Sequence, residues 1–289
     1  MRSQVDCARL NSADAPRRAP TAWRPDPELD CIVLDGVLSE DECAYLVQVT
    51  EEMGYTFWDS RPDRKTEFRN ADTIEVKQPE LAANLWKRVQ EALSDSVEIT
   101  DDQDHPRWQR DLEGVWDPIG TNNHVLFARY RSGGHFAPHT DGFSVVSCDE
   151  RSMYSAVLYL NSCSEGGGTR FYADEAREQL VKDDQGRYTG REDLVRLTVE
   201  PIVGRLCVFF HNIVHEGVPV GPSAEKYIIR SDIMYRRRAP ICKTDKDRQA
   251  FDLYQEAQEK STDGQIEEAM AMFRRAFKLS PALADVYGM

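Results

Sequence analysis

Residues 135–143 read HFAPHTDGF: two histidines and an aspartate in one short stretch, with Gly133 and Gly134 just ahead, Gly142 inside and Pro138 between the histidines. Whether this stretch is helix or strand decides the fold and which side chains can meet. His135 and His139 are four apart, as are His211 and His215. On helices each pair would share a face, as two zinc ligands do in H-E-x-x-H. Neither segment reads as helix. The glycines and Pro138 break the first; the second follows the apolar run RLCVFF and runs into Gly217 and Pro219. On an extended chain, residues i and i+2 share a face, so His139 pairs with Asp141 and His135 drops out. A third ligand has to come from elsewhere, and His215, ending a later strand just before a turn, is best placed.

Working outward, the chain is β-rich from about 121 to 240. The runs HVLFARY, SAVLYLN, TRFY, LVRLTVEP, RLCVFF and KYIIRSDIMY are separated by clusters such as SGGH, SEGGG and KDDQG. That is the pattern of an antiparallel sandwich or jelly roll. The acidic interval 174–194 interrupts it and is expected to form a loop or hairpin on the rim. Upstream, DCIVLDGVLS reads as a short strand and a turn, and Ser39 stands three residues before Glu42, a capping box opening DECAYLVQVTEEMGY. Cys43, Leu46 and Val47 fall on one face of that helix. A second helix is expected over about 79–94, with Pro79 near its start and Leu81, Leu85, Val89 and Leu93 at helical spacing. Two supporting helices followed by strands predict an α+β domain over 27–240.

Residues 1–26 are rich in Ala, Arg, Pro and Ser without apolar periodicity and predict a flexible arm. From 247 to 289 the periodicity is helical again: FDLYQEAQEK and IEEAMAMFRRAFKL flank STDG. Gly264, Ala269, Phe273, Ala276 and Pro281 match the spacing of a tetratricopeptide helix pair, so the tail resembles a single such repeat. One repeat cannot bury its own apolar face; it must pack on the main domain, pair with a second chain or bind a protein partner. STDG lacks the carboxylates of a calcium loop.

With 289 residues, 40% hydrophobic and 30% charged, the chain can bury a full core. A net charge of −14 argues against nucleic-acid binding, which needs clustered Lys and Arg; the run Arg236–Arg238 reads as a solvated strand end. No apolar run is long enough for a bilayer, and the start lacks the apolar segment of a secretory signal, so a cytoplasmic or nuclear location without membrane contact is expected. Seven scattered cysteines, none in C-x-x-C spacing, predict reduced, buried thiols.

H-x-D alone is a weak signal, shared by loop histidines and caps. Two imidazoles with one carboxylate, however, make the facial triad of non-haem Fe(II) oxygenases. In chain order, VLSEDEC, ARYRSGGHFAPHTDGF, AVLYLN, GGGTRFY, RLCVFFHNIVHEGVPV and KYIIRSDIMY give the chain, over roughly 28–238, a close resemblance to a known family. It resembles the 2-oxoglutarate and Fe(II)-dependent dioxygenases, in their prolyl 4-hydroxylase-like branch with a double-stranded β-helix core. The resemblance implies that His139, Asp141 and His215 bind the iron and form the catalytic centre. It puts Tyr130 near the cosubstrate and Tyr159 on the distal carboxylate of 2-oxoglutarate. Lys226 matches the family's cationic anchor for that carboxylate, with Arg230, further along the same strand face, as alternative anchor or helper, and Thr169 lines the same pocket. His135 and His211 are expected to support or pack around the site, and His105 and His124 to lie in loops or on the surface.

The implied chemistry consumes O2, decarboxylates 2-oxoglutarate to succinate and CO2, and hydroxylates a C–H bond, with L-ascorbate keeping the iron reduced. A prolyl residue of a peptide or protein is the leading target. Two departures bear on substrate: the interval 172–200 is longer and more acidic than the compact turn of collagen-type or oxygen-sensing prolyl hydroxylases, and the last strand carries Arg230 and Asp232. Two other readings stay open. One is a non-catalytic or sensing module that keeps the fold and docks a partner through its C-terminal helices; the other is a zinc hydrolase using the same three side chains.

Overall fold

A computed structural model describes residues 5–10, 19–59, 66–103 and 107–288. The chain runs β1 (Thr21–Trp23), β2 (Cys31–Asp35), α1 (Glu40–Met53), β3 (Thr56–Phe57), β4 (Arg69–Asn70), β5 (Asp72–Lys77), α2 (Pro79–Val89), β6 (Val97–Ile99), β7 (Gly114–Thr121), β8 (His124–Tyr130) and β9 (His135–His139). It continues through β10 (Val145–Ser147), β11 (Glu150–Tyr159), β12 (Thr169–Tyr172), β13 (Leu180–Lys182), β14 (Tyr188–Gly190), β15 (Val195–Val199), β16 (Leu206–Phe210), β17 (His215–Gly217) and β18 (Lys226–Arg237). Three helices close it: α3 (Asp245–Thr262), α4 (Ile266–Leu279) and α5 (Pro281–Tyr287). Contacts divide these elements into two units, Met1–Leu93 with Gly120–Gly142 and Met153–Ile233, and Ser94–Ile119 with Phe143–Ser152 and Met234–Met289.

In the first unit, strands lie side by side in the order β1-β2-β16-β11-β18-β8-β5-β3, and a second sheet runs β15-β12-β17-β9-β4. Alternation along each strand sends every second side chain inward, and the two sheets fill one core. Val33, Ala128, Val157, Cys207 and Phe209 come from the larger sheet, Phe171 and Val199 from the smaller. Each fully buried Val or Phe among these stabilises the fold by about 1.5–3 kcal/mol. The result is a sheet-rich mixed α/β fold consistent with the expected jelly roll.

The capping box forms as the sequence predicts: Ser39 Oγ accepts from Glu42 N at 3.2 Å and Glu42 Oε2 accepts from Ser39 N at 2.9 Å. Such a cap contributes about 1 kcal/mol. The buried stripe of α1 is Cys43, Leu46, Val49 and Thr50, with Val47 only half-buried at its edge. Helix α2 stops at Val89, short of the expected 94, and Leu93 is buried in the turn that follows. The acidic interval forms the β13–β14 hairpin, with Leu180 opposite Gly190.

The expected flexible arm over 1–26 needs correction in its described parts. Val5, Cys7 and Leu10 are buried, Leu10 O accepts from Arg88 Nη2 at 2.6 Å, and β1 pairs with β2. Isolated apolar residues were held individually, without the periodicity that would have announced it.

In the second unit, β6 pairs with β7 and β10 with the start of β11. Helix α3 begins at a capping box of Thr244 and Asp247. The apolar face of the C-terminal helices is covered within this unit: Ala250, Phe251, Ala276 and Leu283 pack with Cys148 and Cys242. The helices expected as a separate stretch over 247–289 therefore share their unit with residues distant in sequence. Two further readings are corrected here. Cys148 and Cys242 form a disulfide across 94 residues, a spacing that carries no sequence signal; the other five cysteines are free and buried as expected. Arg237 is not solvated like its neighbours: it is buried, 3.2 Å from Asp149 Oδ1, with its guanidinium 4.1 Å from the Trp116 ring. Among the described residues no helix is long and apolar enough to cross a membrane.

Candidate active site

The sheet ladder brings the ligand candidates together. Strands β9 and β17 pair antiparallel with His215 directly opposite His139, and Asp141 follows β9 two residues on. Each histidine Nε2 lies 3.6 Å from an Asp141 carboxylate oxygen, and the two imidazole centroids are 4.3 Å apart. One ligand atom from each of the three falls within 4.8 Å of the others.

Both imidazoles are fixed in the tautomer a metal needs. Nδ1–H of His139 donates to Ala137 O at 2.7 Å and Nδ1–H of His215 donates to Ile213 O at 2.9 Å, which leaves both Nε2 lone pairs facing inward. Burial, with His139 alongside, pushes the His215 pKa down to about 4, so the ring is neutral near pH 7. Burial alone would raise the Asp141 carboxyl, but His215, His139 and Arg230 hold it well below the usual carboxylate range.

Asp141 is also oriented from behind. Ser155 Oγ–H donates to its Oδ2 at 2.5 Å, and Ser155 Oγ lies 2.9 Å from His211 Nδ1. A carboxylate only accepts, so the hydroxyl proton points at Asp141 and the serine oxygen accepts from His211. The Asp141 N–H donates to His211 O at 3.0 Å. His211 thus holds the aspartate by side chain and backbone together. With Oδ2 engaged, Oδ1 is the oxygen left for a metal. Two imidazoles and a monodentate carboxylate without thiolate fit Fe(II) with open positions. His135 sits apart on β9, its ring nitrogens facing Gly133 O and Glu67 O, and does not join the cluster.

A cavity of about 330 Å³ opens onto these three side chains. Strand β18 pairs with β8, Lys226 opposite Tyr130 and Arg230 opposite Leu126, so alternation lines Lys226, Ile228 and Arg230 along one wall. Lys226 is 2% exposed, its Nζ 4.2 Å from the Tyr130 ring centroid, and burial pushes its pKa down to about 7. Among the described residues no carboxylate pairs with it. Arg230 is already paired, with Nη1 3.1 Å from Asp232 Oδ1 and Nη2 3.5 Å from Asp141 Oδ2.

Thr169 lines the cavity, and Tyr159 stands behind it: its hydroxyl is 2.6 Å from Thr169 Oγ1 and donates to Val199 O at 3.3 Å. Tyr130 also lines the wall; burial raises its pKa and Arg69 beside it partly offsets this. Arg69, on β4 opposite Phe136, is a cavity residue the sequence did not reveal, because a two-residue strand among charged residues carries no period to read. His124 is exposed at the start of β8, as expected, and His105 lies outside the described residues.

Residues 125–231 match the family described as the 2OG-Fe(II) oxygenase superfamily, so this segment carries a domain of that superfamily, which implies Fe(II), 2-oxoglutarate and O2. The comparison with curated proteins finds no match. Among solved structures, the chain is similar to a prolyl 4-hydroxylase of Pseudomonas putida at 20% identity, covering 73% of this chain and 94% of that one, with a TM-score of 0.42. It is similar to the viral collagen prolyl hydroxylase of Paramecium bursaria Chlorella virus-1 at 19% identity, covering 72% and 96%, with a TM-score of 0.42. It is also similar to the non-haem α-ketoglutarate-dependent carbocyclase SnoK of nogalamycin biosynthesis at 13% identity, covering 72% and 80%, with a TM-score of 0.46.

Proposed function

We propose that the chain is a 2-oxoglutarate-dependent dioxygenase that hydroxylates a C–H bond, with a prolyl residue of a peptide or protein as the leading target. The observation that carries this reading is Lys226: a buried amine without a carboxylate partner among the described residues, on the wall of the cavity that holds His139, Asp141 and His215. A metal site alone gives no reason to bury a lysine at a cost of several kcal/mol. A dicarboxylate that reaches from metal to ammonium does.

Iron and 2-oxoglutarate, when bound, supply the O2-dependent hydroxylation and the release of succinate and CO2. The chain's own residues do the positioning. His139, His215 and Asp141 Oδ1 would hold the metal, with Ser155 and His211 fixing the carboxylate. Lys226 is favoured over Arg230 as the anchor for the distal carboxylate, since Asp232 and Asp141 already occupy Arg230. Thr169, backed by Tyr159, adds a hydroxyl to that pocket, and Tyr130 and Ile228 wall it from water. L-Ascorbate would sustain turnover by keeping the metal reduced. The C-terminal helices, where α4 leaves Ile266 and Met270 exposed, are the candidate dock for a partner protein.

The test is anaerobic addition of Fe(II) and 2-oxoglutarate, which should give the weak visible band of the chelate. Admission of O2 with a peptide pool should then yield succinate and peptides heavier by one oxygen atom. No band, and no succinate with any pool, would sink the enzyme reading. Activity with zinc and indifference to 2-oxoglutarate would favour a hydrolase.

A further inference from the structure

Arg69 is a second cation on the cavity wall that has no anionic partner among the described residues. Its Nε is buried without a hydrogen-bond acceptor, and its guanidinium carbon lies 4.5 Å from the Phe136 ring centroid and 5.3 Å from that of Trp58. Phe136 also stacks on the metal-ligand candidate His139, centroids 3.6 Å apart. One aromatic ring therefore touches both the guanidinium and the metal centre.

The charge balance of the cavity sharpens the point. In a chain of net charge −14, the wall carries Arg69, Lys226 and Arg230 against the single carboxylate of Asp141. Arg230 has Asp232 and Asp141, and Lys226 has the cosubstrate if the reading above holds. Arg69 is left over. A buried guanidinium nitrogen without an acceptor is unfavourable, and a planar fork of donors between two rings is suited to a carboxylate. We infer that Arg69 is an anion subsite for the substrate, and that the substrate carries a carboxylate near the C–H bond to be hydroxylated. This inference rests on the cavity being a 2-oxoglutarate site. The carboxylate could be that of a free acid or an acidic side chain of a peptide; the chemistry that Arg69 selects is the same.

The test uses the full chain loaded anaerobically with Fe(II) and 2-oxoglutarate, with binding read as perturbation of the chelate band and of tryptophan fluorescence. The probes are N-acetyl amino acids as free acids and as amides, and amide-capped peptides with and without Asp or Glu. Carboxylate-bearing probes of one source or the other are expected to bind and their neutral counterparts not. Arg69→Met, which keeps a stem between the rings, should weaken that binding at least tenfold without lowering the thermal midpoint, and Arg69→Lys should restore part of it. Equal binding of charged and neutral probes would overturn the inference, as would a chelate band with no carboxylate probe bound. Loss of the band itself in Arg69→Met would also overturn it, placing Arg69 in the cosubstrate's own pocket. No band in the unmodified chain would overturn the 2-oxoglutarate reading first.

Discussion

At the end of the cavity where the proposed metal ligands lie, His139, His215 and Asp141 each rest on a protein partner: Ala137 O, Ile213 O and Ser155 Oγ. Across the same cavity, Lys226 and Arg69 line the wall, and among the described residues no carboxylate pairs with either. The contrast shows how the two halves prepare for opposite charges. The ligands of a cation can be oriented in advance, because carbonyls and hydroxyls satisfy their outer atoms while the inner lone pairs stay free. Groups that await an anion cannot be satisfied in advance without blocking the site, so they are held in an unfavourable state until it arrives.

The strongest way to break this comparison is to remove a metal ligand. His139→Ala should abolish the chelate band and succinate formation, a loss of at least about 100-fold in metal affinity, while His135→Ala retains both. The reverse pattern would show that the wrong histidine was chosen.

At the other end, Lys226→Met should weaken 2-oxoglutarate binding by roughly 100-fold, measured by calorimetry with Mn(II) in place of iron. The same change should stabilise the ligand-free protein. The folded pKa of Lys226, about 7, lies below the ordinary lysine value of 10.5, so between these pH values the unfolded chain binds more protons. Stability of the unmodified protein should therefore rise with pH through that window. The variant should lack the rise and be the more stable by a few kcal/mol below pH 7. A lower melting temperature for the variant near neutral pH would contradict this.

A smaller effect is expected from the groups behind the ligands. Ser155→Ala frees Asp141 Oδ2 and should lower metal affinity about 10- to 100-fold, with a modest drop in the melting temperature of the metal-free protein because the buried His211 Nδ1–H also loses its acceptor. If metal affinity does not move, the hydrogen bond is only packing. The smallest effect is a slope. Above about pH 7, 2-oxoglutarate must bind a lysine that has lost its proton, so affinity should fall by up to about tenfold per pH unit, with proton uptake visible in buffers of different ionisation enthalpy. A flat profile would mean that Lys226 stays charged without the anion.

The contrast also marks what the sequence made legible. The i, i+2 relation paired His139 with Asp141, and the strand pattern put Lys226 and Arg230 on one face, because period-2 alternation is a local property. Ser155 and His211 were each visible as residues, but their chain to Asp141 depends on long-range pairings of β11 and β16. Arg69 was hidden for a related reason: β4 has two residues, and only its pairing with β9 brings the guanidinium to the cavity. Likewise Cys148 and Cys242 meet only through tertiary packing, and Arg237 is separated from Arg236 and Arg238 only by which face of β18 turns inward. The choice between Lys226 and Arg230 needed the position of Asp232, whose contact with Arg230 no spacing rule supplies.

The direct pairing of His215 with His139 carries a consequence for how such a chain can evolve. The two histidines are tied by one rung of a hydrogen-bond ladder, not by the length of chain between them. Insertions and deletions in the intervening loops, including the acidic β13–β14 hairpin, can accumulate without moving the ligands. A one-residue insertion or deletion inside β9 or β17 would shift the register and turn one of the two histidines to the opposite face. Loop length can therefore change without disturbing the pair, while the register of these two short strands cannot.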